Sequence, residues 1–188
     1  FRIALPFLPY RKPKILGSVK ALPEILLKRK YNHVLIITDE GIMKLGLTKR
    51  LEKVLSENNI KYTIYDKTVA NPTTKNVAEA MDLFLSNNCN AIIGFGGGSS
   101  MDCAKAVGAK IAKPKQSLAK MKGILKVHKR IPLLIAVPTT AGTGSETTLA
   151  AVITDAETRH KYAINDFPLI PRYAILDPKV TLSLPPFI

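Results

Sequence analysis

Gly96-Gly97-Gly98 stands where an apolar run, Ala91-Ile92-Ile93, gives way to Ser99-Ser100-Met101-Asp102 and a helical pattern. Backbone without a Cβ can come within hydrogen-bonding distance of a ligand. The N–H groups at the start of the following helix point into that space, and the helix dipole favours an anion there. One glycine would serve a plain tight turn. Three in a row instead point to a diphosphate cradle built from Gly96, Gly97, Gly98 and Ser99. The spacing departs from the common fingerprints: Ser99 stands where the dinucleotide motif takes glycine or alanine, and no lysine follows at the P-loop position.

Two further stretches carry complementary chemistry. Thr139-Thr140-Ala141-Gly142-Thr143-Gly144-Ser145 places four hydroxyls and two glycines directly after an apolar run. Such hydroxyls donate to phosphate or ribose oxygens, so Thr139, Thr140 and Thr143 join the candidate site. Asp39 closes another apolar run, Val34-Leu35-Ile36-Ile37-Thr38. A carboxylate there suits the two ribose hydroxyls of NAD and repels the 2′-phosphate of NADP. It is also a good helix N-cap; beside the glycine loop, the ribose reading gains. Asp102, in the first turn after the glycines, suits sugar hydroxyls, loop N–H groups or a cation, or simply complements the helix dipole. His33, His128 and His160 are isolated in the sequence and read as surface residues, and no metal site can be assembled.

Parallel strands are expected at Val34–Asp39, Lys61–Asp66, Ala91–Gly94 and Leu133–Pro138, with a short last one at Tyr173–Pro178. Helices are expected over Val19–Lys30, Ile42–Leu45, Thr48–Asn58, Thr74–Asn88 (inner face Val77, Met81, Leu85), Ser99–Ala112 and, in the lysine-rich part, Ser117–Lys126. Thr147–Thr154 and Lys161–Asn165 read as a hairpin across Asp155-Ala156-Glu157-Thr158. Phe1–Leu8, with Pro6, suits an edge strand or arm. The alternation defines an α/β fold: a Rossmann-like parallel sheet with helices on both faces plus a β-hairpin. Ligands of such sheets sit beyond the carboxyl ends of the strands, where all three candidate loops fall.

The 188 residues suit one domain, 1–188. No apolar run is long enough to cross a bilayer, and no secretory leader is read at the start. Cys89 and Cys103 are too few for a disulfide framework and read as buried thiols of a reducing cytoplasm. The net charge of +14 is spread along the chain, with one dense block from Lys113 to Arg130 that has no aromatic residue for base stacking. It reads as a solvated face rather than a nucleic-acid patch. The chain opens on Phe1 and stops at Ile188, just past Leu184-Pro185-Pro186, so both ends read as cut.

Gly96-Gly97-Gly98-Ser99-Ser100-Met101-Asp102-Cys103-Ala104-Lys105, together with Pro138-Thr139-Thr140-Ala141-Gly142-Thr143-Gly144-Ser145-Glu146, resembles the iron-containing (group III) alcohol dehydrogenases. Dehydroquinate synthases and glycerol dehydrogenases share the triple glycine but not the threonine–glycine run. The resemblance implies an NAD(P)-dependent oxidoreductase acting on primary alcohols, diols or aldehydes, with NAD favoured over NADP. It implies that Asp39 selects NAD, that Gly97, Gly98 and Ser99 hold the diphosphate, and that Asn71, Thr139, Thr140 and Lys161 contact the cofactor. It implies a possible homodimer through the N-terminal strand. The family's metal, Fe²⁺ or Zn²⁺, is held by an aspartate and three histidines of an all-helical domain that begins just after the Leu-Pro-Pro segment. That domain is therefore expected to be absent from this chain, which alone would bind cofactor without turnover. The competing reading is a non-catalytic nucleotide-binding half-domain used in regulation or assembly; a nucleic-acid binder rests on charge alone.

Overall fold

The computed structural model describes residues 10–181. In chain order the elements are β1 (Lys14–Leu16), α1 (Leu22–Lys28), β2 (His33–Ile37), α2 (Glu40–Lys44), α3 (Lys49–Glu57), β3 (Lys61–Tyr65), α4 (Thr74–Ser86), β4 (Ala91–Gly96), α5 (Gly98–Ala112), β5 (Gly123–Ile124), β6 (Leu133–Pro138), β7 (Ala150–Thr154), β8 (Lys161–Asn165) and β9 (Tyr173–Ile175). Six strands form one parallel sheet in the order β1-β9-β6-β4-β2-β3. A second sheet, β5-β8-β7, contains the expected antiparallel hairpin, β7 with β8.

Both faces of the large sheet are covered, as the unbroken apolar runs Val34–Ile37, Ala91–Ile93 and Leu133–Val137 of its central strands require. Leu35, Ile37 and Ile92 point into one core with Val77, Ala80 and Phe84 of α4 and Cys103, Ala104 and Val107 of α5. Val34, Ile36, Ile93 and Phe95 point into the other, with Leu22 and Leu26 of α1 and Leu51 and Leu55 of α3. This two-sided burial is what a parallel sheet requires. Both cysteines are buried, and burial pushes the Cys103 thiol up to about 12.

Several expectations are corrected. The lysine-rich segment Ser117–Lys126 is not a helix: it makes one 3₁₀ turn, Ala119–Met121, and then strand β5 beside β8. Gly123 (φ 102°) and Leu125 (φ 52°) both leave the helical region, and the Leu125 N–H is taken by the Asn165 carbonyl. Ile15-Leu16 belongs to strand β1, which pairs with β9. The helix expected from Val19 opens as a 3₁₀ turn and becomes α1 only at Leu22, with Pro23 in its first turn. On α4 the inner face runs through Val77, Ala80 and Phe84, while Leu85 is exposed. His33 is half-buried rather than on the surface, its Nε2 2.9 Å from Thr63 Oγ1. Phe1–Leu8, with the dimer expected through it, lies outside the described residues.

Candidate functional site

The strands that end in the three candidate loops are neighbours: β6, β4 and β2 lie side by side. Their register sets Gly96 opposite Pro138 and Ile37 opposite Gly94, so the chain leaves all three strands at one edge of the sheet.

Asp39 follows β2 and does both things its type allows. Its Oδ1 accepts from the Ile42 N–H at 3.0 Å, capping α2, while Oδ2 accepts from Ser100 Oγ at 3.3 Å and so faces the glycine loop. Gly96 ends β4 with φ 139°, and a Cβ there would stand 2.7 Å from Ser100 Oγ; only glycine fits. Helix α5 starts at Gly98 with no side chain capping it, which leaves first-turn N–H groups for a ligand. A Cβ at Gly97 would lie 3.5 Å from Thr140 Oγ1, and one at Gly98 3.3 Å from Ser145 Oγ and 3.6 Å from Thr143 Cγ2. The glycine turn and the threonine loop thus face each other across the width of a missing side chain.

Thr139 ties its own loop to the glycine turn through its N–H, which donates to the Gly96 carbonyl at 3.0 Å. Its hydroxyl is buried and has no partner among the described residues. An unsatisfied buried hydroxyl is costly, so one placed at this strand edge suits an outside acceptor or donor. Ser99 reaches the other way, accepting from the Asn71 N–H at 3.3 Å. Asn71 itself sits at φ 57°, and its Oδ1 accepts from Lys161 Nζ at the start of β8. Asp39, Gly96, Gly97, Gly98, Ser99, Thr139, Thr140, Thr143, Asn71 and Lys161 therefore form one continuous chain of contacts.

Asp102, the remaining candidate, also holds the frame of the site. Its Oδ2 accepts from the Val152 N–H at 3.1 Å, pinning β7 to α5. Burial raises its pKa, and Lys105, the Val152 N–H and Lys161 partly oppose this. A second residue of this frame stands at the end of the glycine-turn motif, where the sequence assigns it no role. Lys105 is fully buried; its ammonium donates to Thr148 Oγ1 at 2.9 Å and to the Ala150 carbonyl at 2.8 Å. Desolvation lowers its pKa to about 8, against the pull of Asp102 and Glu146. The signal for it is a lysine flanked in the helix by Cys103-Ala104 and Ala106-Val107, all small or apolar.

The donor set fits a dinucleotide diphosphate: an uncapped helix start, an orphaned buried hydroxyl, a lysine and a carboxylate at one strand edge. It does not fit a metal. Among the described residues no three His, Cys, Asp or Glu side chains converge to hold one.

The family model described as iron-containing alcohol dehydrogenase matches residues 15–178. This chain belongs to that family. It is 40% identical over 157 residues to alcohol dehydrogenase 4 of Schizosaccharomyces pombe, covering 83% of this chain and 37% of that protein. It superposes on a 1,3-propanediol oxidoreductase with a TM-score of 0.88 at 29% identity, covering 94% of this chain and 47% of the other. A sulfoacetaldehyde reductase from Bifidobacterium kashiwanohense in complex with NAD⁺ superposes with a TM-score of 0.79 at 28% identity, covering 94% and 48%. The chain spans less than half the length of these proteins and matches their N-terminal, cofactor-binding half. Among the described residues no helix is long and apolar enough to cross a membrane.

Proposed function

We propose that residues 1–188 form a single dinucleotide-binding unit of an NAD-dependent alcohol dehydrogenase, the whole protein interconverting a primary alcohol or diol and its aldehyde. The observation that carries this reading is the adjacency of β2, β4 and β6, which brings Asp39, Gly96–Ser99 and Thr139–Thr143 to one strand edge. When bound, the nicotinamide takes or returns a hydride. This chain's residues bind and orient. Gly97, Gly98 and Ser99 offer N–H groups to the diphosphate, Thr139 and Thr140 offer hydroxyls, and Lys161, held by Asn71, supplies a positive charge. Asp39 takes the adenosine ribose hydroxyls with the oxygen that faces Ser100. The sulfoacetaldehyde reductase bound to NAD⁺ supports the choice of dinucleotide. Among the described residues no group of His, Cys, Asp or Glu side chains fits a metal. Homodimerisation through Phe1–Leu8 rests on the family resemblance, and a reducing compartment on the two buried free thiols.

Asp39→Gly tests the ribose assignment. Glycine is itself tolerated at an N-cap, so stability should fall by only a few tenths of a kcal/mol. Hydrogen bonds to a charged group contribute ~1.5–3 kcal/mol, so the NADH-over-NADPH affinity ratio should fall about tenfold or more. Binding titrations with both cofactors read this directly. An unchanged ratio would leave Asp39 as the cap of α2 and nothing more.

A further inference from the structure

The net positive charge has no role in the dinucleotide reading, and part of it converges on a cavity at the other end of the sheet. This cavity, of about 580 Å³, is bounded by the segments that enter β1, β2, β6 and β9. Its volume falls within the roughly 300–1,000 Å³ usual for small-molecule sites. Arg11, Arg29, Lys129, Arg130 and Arg172 line it, against one carboxylate, Asp166. Asp166 is already engaged, accepting from the Val127 and His128 N–H groups at 2.8 and 2.9 Å. None of the five cations is ion-paired among the described residues. Residues 1–9 and 182–188 contain no aspartate or glutamate, so neither stretch carries a side-chain counter-charge.

Arg11 is the most deeply placed of the five. Its Nη2 donates to the carbonyls of Ile170 and Pro168, and its Nε is buried with no partner among the described residues. Burial, then the neighbouring charges of Arg172 and Arg130, pushes this guanidinium's pKa down. Like charges held this close repel, and an anion between them would relieve the repulsion. Guanidinium forks match phosphate oxygens in pairs. The rest of the wall is apolar and partly aromatic, through Tyr31, Ile131, Pro132 and Phe167.

We propose that this basin is a second ligand site, for a small organic phosphate carrying at least two negative charges on an apolar or aromatic body. Convergence of the cations on one cavity with apolar walls favours such a molecule over a polyanion, whose backbone needs a track of charge. The proposal does not depend on the dinucleotide reading, since the two sites lie at opposite ends of the strands.

The test is calorimetric titration of the full chain with ATP and, separately, with inorganic tripolyphosphate, at about 0.1 M salt so that diffuse surface attraction is screened. In saturating NADH, which occupies the dinucleotide site, one ATP is expected to bind per chain with a dissociation constant below about 1 mM. Tripolyphosphate should bind more weakly, lacking the body that meets the apolar wall. Arg130 and Arg172 are exposed, so the double variant R130Q/R172Q should fold normally. It should weaken ATP by about tenfold or more and leave NADH binding unchanged. Absence of ATP binding, displacement of ATP by NADH, or an unaltered ATP affinity in R130Q/R172Q would each overturn the proposal. So would tripolyphosphate binding as tightly as ATP, or a single-stranded oligonucleotide displacing ATP with several chains bound per strand.

Discussion

Gly98→Val should lower NADH affinity by roughly a hundredfold or more while leaving the fold in place. The first side-chain atom alone would stand 3.3 Å from Ser145 Oγ and 3.6 Å from Thr143 Cγ2, so the branched methyls occupy the gap between the glycine turn and the threonine loop. That gap is where, in the proposed site, the diphosphate approaches the start of α5. Losing two charge-assisted hydrogen bonds of ~1.5–3 kcal/mol each amounts to ~3 kcal/mol at least, or about two factors of ten. Stability should change by less than ~1 kcal/mol, because Gly98 is a half-exposed first helical residue with no positive φ to preserve. Thermal denaturation without cofactor and NADH titration separate the two quantities. Full NADH affinity in a folded Gly98→Val protein would remove the glycine turn from the site.

The second large effect belongs to the frame. Lys105→Ala should destabilise the chain by ~3 kcal/mol, since it opens a cavity under the hairpin and leaves the half-buried Ala150 carbonyl and the Thr148 hydroxyl without their donor. Lys105→Met keeps the volume and gives up only the charge, so its loss should be smaller; removing a buried charge offsets part of the broken bonds. The two variants also differ from the natural chain in pH dependence. The folded pKa of Lys105 is lowered to about 8 from the ordinary 10.5, so the folded state releases its proton first. Between those values the unfolded chain binds more protons, and Lys105 makes stability rise with pH by up to roughly 3 kcal/mol. Denaturant titrations at pH 8 and pH 10 should show this rise in the natural chain relative to Lys105→Met. Parallel pH profiles would mean that Lys105 keeps an ordinary pKa and that its burial carries no charge penalty.

The parts of the fold legible in the sequence are those decided locally. Val34–Ile37, Ala91–Ile93 and Leu133–Val137 are apolar without alternation, which only a strand covered on both faces requires, and each ends in residues suited to a ligand. Asp39, the glycine turn and Thr139–Thr143 were therefore identifiable before their adjacency was known; the strand order β6-β4-β2 then brings them together. What escaped depends on distant partners. Strand β1 is three residues long and exists because β9 pairs with it. The lysine-rich segment has helical composition, but pairing of β5 with β8 and the left-handed Gly123 and Leu125 decide its course. Lys105 looks like a solvent-facing residue until the β7–β8 hairpin covers that side of α5. Leu85 continues the expected stripe of α4, yet the helix is rotated so that Ala80 and Phe84 face inward.

In the proposed site, three neighbouring loops jointly hold one nicotinamide dinucleotide. Titration of the full chain with NADH, followed by the change in nicotinamide fluorescence, tests this most directly. Saturation at one NADH per chain with a dissociation constant below about 1 mM is the predicted result. A fluorescence signal that rises linearly with no saturation through several times that concentration, roughly 5 mM, would contradict it.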